Sequence, residues 1–196
     1  MNFLFHLYLA DPSPGSLLGN LMGDFVKGPL DHSMDPVIRR GIRLHRRVDT
    51  LAHAHPLIHR SKQRIDPAYG HYRSIMVDIF YDHFLARNWE RYSPVPLEEF
   101  AGDVYRLLRD HEAELPPGLR RIAPRMMEFD WLVSYRDPGT VPLVLERISR
   151  RLRRTNPMGR GGEELLKNYP DLEGDFEDFR KEVVAFVRDL KADPDF

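Results

Sequence analysis

Three ionisable residues stand inside the apolar run Ile75-Met76-Val77-Asp78-Ile79-Phe80-Tyr81-Asp82-His83-Phe84-Leu85-Ala86. A helix that is apolar all round is buried. A buried carboxylate is costly unless it is paired, protonated or bound to a cation. Asp78 and Asp82 are four apart, so they leave one helical face about 40° offset. Two like charges there repel, and a cation between them removes the conflict. The alternative is an arginine or tyrosine reaching in from elsewhere. A second pair with the same spacing, His45 and Asp49, lies in Ile42-Arg43-Leu44-His45-Arg46-Arg47-Val48-Asp49. Such a pair either ligates one metal, lets the carboxylate orient the imidazole, or forms a solvated pair. Asn20 and Asp24 make a third, among small or apolar neighbours, and His6 sits in the greasy segment Phe3-Leu4-Phe5-His6-Leu7-Tyr8. Each is weak alone. Together, four apolar segments donate polar groups with no local reason to be there. Carboxylates and imidazoles without thiols suit Mn²⁺, Mg²⁺ or Fe²⁺, with Zn²⁺ also accommodated. The chemistry expected is activation of water and polarisation of a phosphoryl oxygen.

Other histidines are read as bystanders. His53, His55 and His59 cluster around Pro56 at what reads as an exposed helix end, His32 and His111 read as surface, and His71 is a possible accessory to Asp78. Arginine is concentrated in two places: Arg39, Arg40, Arg43, Arg46 and Arg47, then Arg147, Arg150, Arg151, Arg153 and Arg154. Arg46 and Arg47 flank His45 and could grip a phosphate. The remainder form either a solvated face or a docking surface for an acidic protein or polyphosphate. Few aromatics interleave with them, which argues against single-stranded nucleic acid.

These groups need helices to hold them. The 196 residues are 42% hydrophobic and 30% charged, which excludes wholesale disorder. Lys+Arg 29 against Asp+Glu 30 excludes a generally basic nucleic-acid binder, and with no cysteine there is no disulfide framework or thiolate site. Proline and glycine divide the chain into helix-sized blocks at about 1–10, 15–28, 35–54, 67–91, 96–113, 117–129, 139–152, 161–168 and 172–191. No block alternates with period two. The expectation is all-α, with residues 1–196 forming one helical bundle. Residues 153–163 read as a mobile loop, and the segment from Asp171 to Phe196 as a polar, peripheral amphipathic helix. The apolar start breaks at Asp11-Pro12-Ser13-Pro14-Gly15, short of a membrane span, and lacks a basic leader. A cytoplasmic protein with no membrane contact is expected.

The combination resembles the acyl carrier protein phosphodiesterase family. The residues carrying the resemblance are Asn2-Phe3-Leu4 with His6-Leu7, Gly19-Asn20 with Asp24-Phe25-Val26, and His45-Arg46-Arg47 with Asp49. They continue in Asp78 with Asp82-His83-Phe84-Leu85 and end in Trp131-Leu132 with Tyr135-Arg136. The resemblance implies a helical fold related to the HD phosphohydrolases, in which Asp82-His83 reads in reversed order. It also implies a divalent metal, Mn²⁺ ahead of Mg²⁺ or Fe²⁺. The implied reaction is hydrolysis of the phosphodiester joining 4′-phosphopantetheine to a serine of holo-acyl carrier protein, an acidic protein.

We therefore expect a metal held by Asp24, His45, Asp82 and His83. Asp49, Asp78 and His6 are expected in catalytic or supporting roles, and Arg46, Arg47 and Arg136 on the phosphate. Arg39, Arg40 and Arg43 are expected on the carrier, and a pantetheine pocket near Phe80, Phe84, Trp131 and Tyr135. Two other readings are open. One is a related hydrolase acting on a nucleotide or alarmone; the other is a non-catalytic module that binds an acidic protein.

Overall fold

A computed structural model describes residues 1–152, 154–194 and 196. The described residues form helices and turns with no strand. The order is α1 (Phe3–Leu9), α2 (Pro14–Met22), α3 (Pro36–Ala54), α4 (Pro56–Arg64), α5 (Tyr72–Arg87), α6 (Leu97–Asp110), α7 (Pro117–Glu128), α8 (Trp131–Ser134), α9 (Thr140–Arg151), α10 (Gly162–Lys167) and α11 (Tyr169–Ala192). No helix among the described residues is long and apolar enough to cross a membrane.

The apolar run becomes the central helix. Met76, Val77, Phe80, Tyr81, Phe84 and Leu85 on α5 are solvent-free, and α1, α4, α9 and α11 pack around them. Beside this core, α2 and α3 lie against each other more extensively than any other helix pair. Glycine permits it: a Cβ on Gly19 would stand 2.2 Å from the Ile38 carbonyl oxygen and 2.8 Å from the Gly41 Cα. The two backbones touch, which fixes how far α2 stands from α3.

The ends of the helices follow local chemistry. Asp35 accepts hydrogen bonds from the Val37 and Ile38 amides, with Pro36 in the first turn, so α3 starts where the sequence indicates. Asp66-Pro67 makes only a 3₁₀ turn, because Gly70 at φ 53° breaks the chain before α5 begins at Tyr72. Likewise α2 ends at Met22 rather than 28. A loop then carries Asp24 to Gly28, which has φ 76°.

Three expectations need correction. The stretch after His55 is helical as α4, because Pro56 opens a new helix instead of only closing α3. The segment 153–163 is not a free loop: Met158 is fully buried and the Asn156 side chain bridges to Ser149. Arg153 lies outside the described residues. Finally, α11 is not peripheral. Leu172, Phe176, Phe179, Val183 and Val187 are all buried, and each phenylalanine contributes about 1.5–3 kcal/mol by leaving water. Its many charges conceal that stripe in the sequence.

Candidate metal centre

Helix α1 is too short to hold itself, and Asp82 of α5 anchors it. The two Asp82 carboxylate oxygens accept the Leu4 and Phe5 amides at 3.0 Å each. This satisfies two of the otherwise unpaired N–H groups of the first turn. It also turns His6, 2% exposed, toward α3.

There the His6 ring stacks on the His45 ring, with centroids 3.6 Å apart and planes 13° from parallel. His45 is oriented from behind. Its Nδ1 lies 2.8 Å from the Asn20 carbonyl oxygen, so Nδ1–H donates and Nε2 is the nitrogen turned to the carboxylates. Gly23 makes room for the ring, since a Cβ there would fall 2.2 Å from His45 Cγ. Asp49, one turn beyond His45, presents Oδ2 at 3.2 Å from His45 Nε2 and Oδ1 at 3.2 Å from His6 Nε2. Asp24, half-exposed on the loop after α2, brings Oδ1 to 3.4 Å from His45 Nε2.

None of the three imidazole–carboxylate approaches has hydrogen-bond geometry. His6 Nδ1 and Nε2 and His45 Nε2 are buried without a hydrogen-bond partner. Such groups are ordinarily satisfied in folded proteins. Ligand atoms of His6, His45 and Asp49 lie within 4.8 Å of one another, and their types suit a borderline divalent cation. The residues fit a metal on the grounds of chemistry, convergence and unmet polar atoms together.

The electrostatics set the two imidazoles apart. Burial drives His6 down to about 4, so its ring is neutral and able to ligate near pH 7. Burial also opposes a charge on His45, but Asp24 and Asp49 outweigh it and raise the imidazole to about 9, so near pH 7 the ring holds a proton at Nε2 that a bound cation would displace. Asp49 resists the upward pull of its own burial; the two imidazoles and the Met1 ammonium hold it well below the ordinary carboxylate range. That ammonium donates to Asp49 Oδ1 at 2.8 Å and lies 3.7 Å from Asp78 Oδ2. Asp78 is pushed upward by its enclosure, against the ammonium's pull.

The other expected residues stand apart from this cluster. Asp82 caps α1, and complete burial lifts its carboxyl to about 7 in spite of the two amide donors. His83 donates from Nδ1 to the Tyr135 carbonyl at 2.8 Å and accepts the Tyr169 hydroxyl at Nε2, 2.9 Å away. Both are satisfied by neighbours, so neither needs a cation. Arg46 is spent on the loop frame, donating to the Val26 and Gly28 carbonyls at 2.7 and 2.9 Å. Arg136 pairs with Glu98. Arg47 is exposed, beside Arg43 and Phe196. Arg40 and Arg43 stack on the Phe196 ring at 5.2 and 4.9 Å, and Arg39 meets His32. Phe80 and Phe84 are solvent-free core, so they line no pocket; Trp131 and Tyr135 do line an apolar cleft. His55 pairs with Glu182, while His53 and His59 are exposed.

Over the cluster opens a groove of about 310 Å³ whose walls include Asp24, Lys27, His45, Asp49 and Thr50. Three contributors were missed by sequence reasoning. Lys27 carries no local pattern. The Asn20 contribution is a backbone carbonyl, which no side-chain pattern reveals. The amino group of Met1 likewise leaves no trace in residue types or spacing.

Comparison with known proteins gives one answer. The family model described as acyl carrier protein phosphodiesterase matches residues 1–183. The acyl carrier protein phosphodiesterase of Photorhabdus laumondii is 33% identical over 180 residues, covering 91% of this chain and 91% of its own. Proteins of the same name from Shigella boydii and Escherichia coli are each 32% identical over 186 residues, 94% of this chain and 96% of theirs. No solved structure matches. With full-length similarity added to the cluster of His6, His45 and Asp49, this chain belongs to the acyl carrier protein phosphodiesterase family.

Proposed function

We propose that this chain, acting as one domain, hydrolyses the phosphodiester between 4′-phosphopantetheine and a serine of holo-acyl carrier protein. Water forms the new P–O bond, the P–O(serine) bond breaks, and apo-carrier and 4′-phosphopantetheine leave. The observation that carries this reading is the stack of two buried imidazoles whose free nitrogens face a shared carboxylate.

His6, His45 and Asp49 would hold a divalent metal, Mn²⁺ before Mg²⁺ or Fe²⁺. Asp24 would close the site from the rim. Such an ion supplies Lewis acidity, lowering the pKa of water and polarising a phosphoryl oxygen. The chain supplies the rest. The Asn20 carbonyl fixes the His45 tautomer, and Asp82 fixes the start of α1 and with it His6. Asp78, which shares the Met1 ammonium with Asp49, takes the proton from the attacking water. Lys27, on the groove wall, offsets charge on the non-bridging oxygens. The serine alkoxide leaves with a proton drawn from solvent at the open groove. Arg47 and Arg43 on the exposed ridge of α3 meet acidic carrier side chains and raise the encounter rate. Arg39 and Arg40 extend that ridge. The proposed setting is the cytoplasm.

The test incubates purified protein with Mn²⁺ and holo-carrier and follows free 4′-phosphopantetheine by mass spectrometry. Release that disappears in Asp49→Asn while the helical circular dichroism persists is the expected result. Full turnover by Asp49→Asn would overturn the assignment. Cleavage of a nucleotide panel with holo-carrier untouched would favour the nucleotide or alarmone reading.

A further inference from the structure

A second concavity of about 400 Å³ is lined by residues of α5, α7, α8 and α9 and by the start of α1 at Asn2 and Phe3. The proposed chemistry does not use it. Its walls are apolar: Ile79, Ile122, Trp131, Val144 and Ile148. Its rim holds two large hydrophobic side chains in water, Leu143 at 54% and Phe129 at 45% exposure. Apolar surface left open around a well-formed pocket marks a ligand site.

The rim is also cationic. Leu143, Arg147 and Arg151 recur every four residues on α9, so they share one face with the opening. The Arg147 guanidinium lies over the Phe129 ring at 5.3 Å, and Arg151 has no ion pair among the described residues. The neighbouring Glu146 is taken by Arg150. Among the described residues no carboxylate pairs with either rim cation. At the inner end the polarity is modest, with Asn2 donating to the Tyr135 hydroxyl at 3.0 Å.

A greasy cleft capped by two unopposed guanidinium groups has a definite complement. We propose that it binds a single-chain aliphatic carboxylate, its hydrocarbon lying between α7 and α9 and its carboxylate gripped at the mouth by Arg147 and Arg151. Arginine suits that grip because its planar fork meets both carboxylate oxygens. The proposal is independent of the phosphodiesterase reading, since it uses no residue of the cluster around Asp49.

Trp131 in the cleft wall provides the signal, as the chain's other tryptophan, Trp89, is buried in the core. Dodecanoate and 1-dodecanol are titrated into metal-free protein, with tryptophan emission and calorimetry as readouts. Saturable one-to-one binding of dodecanoate is expected, at least tenfold tighter than dodecanol. The double variant Arg147→Ala/Arg151→Ala should erase that preference while dodecanol binds as before. Both arginines are exposed, so folding survives, and circular dichroism checks it. A third arm, Leu143→Glu, should weaken both ligands. The proposal is overturned by absence of saturable binding, by equal affinity for acid and alcohol, or by a double variant that keeps the preference. Displacement of dodecanoate by 4′-phosphopantetheine would also overturn it, by assigning the cleft to the prosthetic arm.

Discussion

The pairs His45/Asp49 on the amphipathic α3 and Asp82/His83 on the apolar α5 use the same two residue types, yet the structure treats them oppositely. Asp82 and His83 find partners for every demand: two amides, a carbonyl and a hydroxyl. His45 and His6 keep buried nitrogens unmet beside Asp49. One pair is tied into the architecture, and the other carries the unmet atoms on which the proposed metal site rests. Burial of a polar residue is therefore not the diagnostic; burial without a partner is.

The comparison can be broken most sharply by activity. Asp49→Asn should lower phosphodiesterase turnover about 10³-fold. Asp82→Asn should stay within a few-fold for the fraction that folds. Equal losses in the two variants, read on holo-carrier with matched circular dichroism, would erase the distinction.

Stability should show the reverse order. Asp82→Ala leaves two buried amides unpaired and should cost about 2–4 kcal/mol in urea unfolding, whereas Asp49→Asn should cost less. A third measurement sharpens the role of Asp82 through pH. Its folded pKa, about 7, exceeds the ordinary unfolded value, so the folded state holds a proton that the unfolded state has lost. Its contribution is complete below about pH 4 and is lost as pH rises through 7. Between pH 5 and 7 the wild type should lose about 2 kcal/mol from this group, and Asp82→Asn should flatten that slope. The smallest effect belongs to the loop frame. Arg46→Ala frees the Val26 and Gly28 carbonyls and should lower stability by about 1 kcal/mol, while raising KM more than it lowers kcat.

Much of this was legible beforehand. Helical class followed from missing alternation and from Asp35-Pro36 as a start signal, and α5 declared its burial through unbroken apolar neighbours. His45 and Asp49 were legible as a pair because i, i+4 spacing guarantees a common face. Which carboxylate would be left hungry was not legible. That depends on where the amides of Leu4 and Phe5 arrive, and those residues are 78 and 77 positions from Asp82. His6 looked minor because a single imidazole on a short apolar helix has no partner in its own segment; the stack forms only when α1 meets α3. The buried stripe of α11 was hidden by the many charges interleaved along the helix. Its aromatic residues gain their interior role from α4 and α5, not from local pattern.

The bare backbone contact at Gly19 and Gly41 has a consequence for how this protein can change over generations. Where helices meet through side chains, each exchange of a large residue for a small one moves them. Here the closest approach of α2, which leads to the loop bearing Asp24, and α3, which bears His45, is main chain on main chain, so a replacement in the surrounding interior does not change that contact. Relatives can thus drift widely in their greasy residues while the geometry of the proposed site stays put, provided that these two positions, and Gly23 beneath the His45 ring, gain no methyl group.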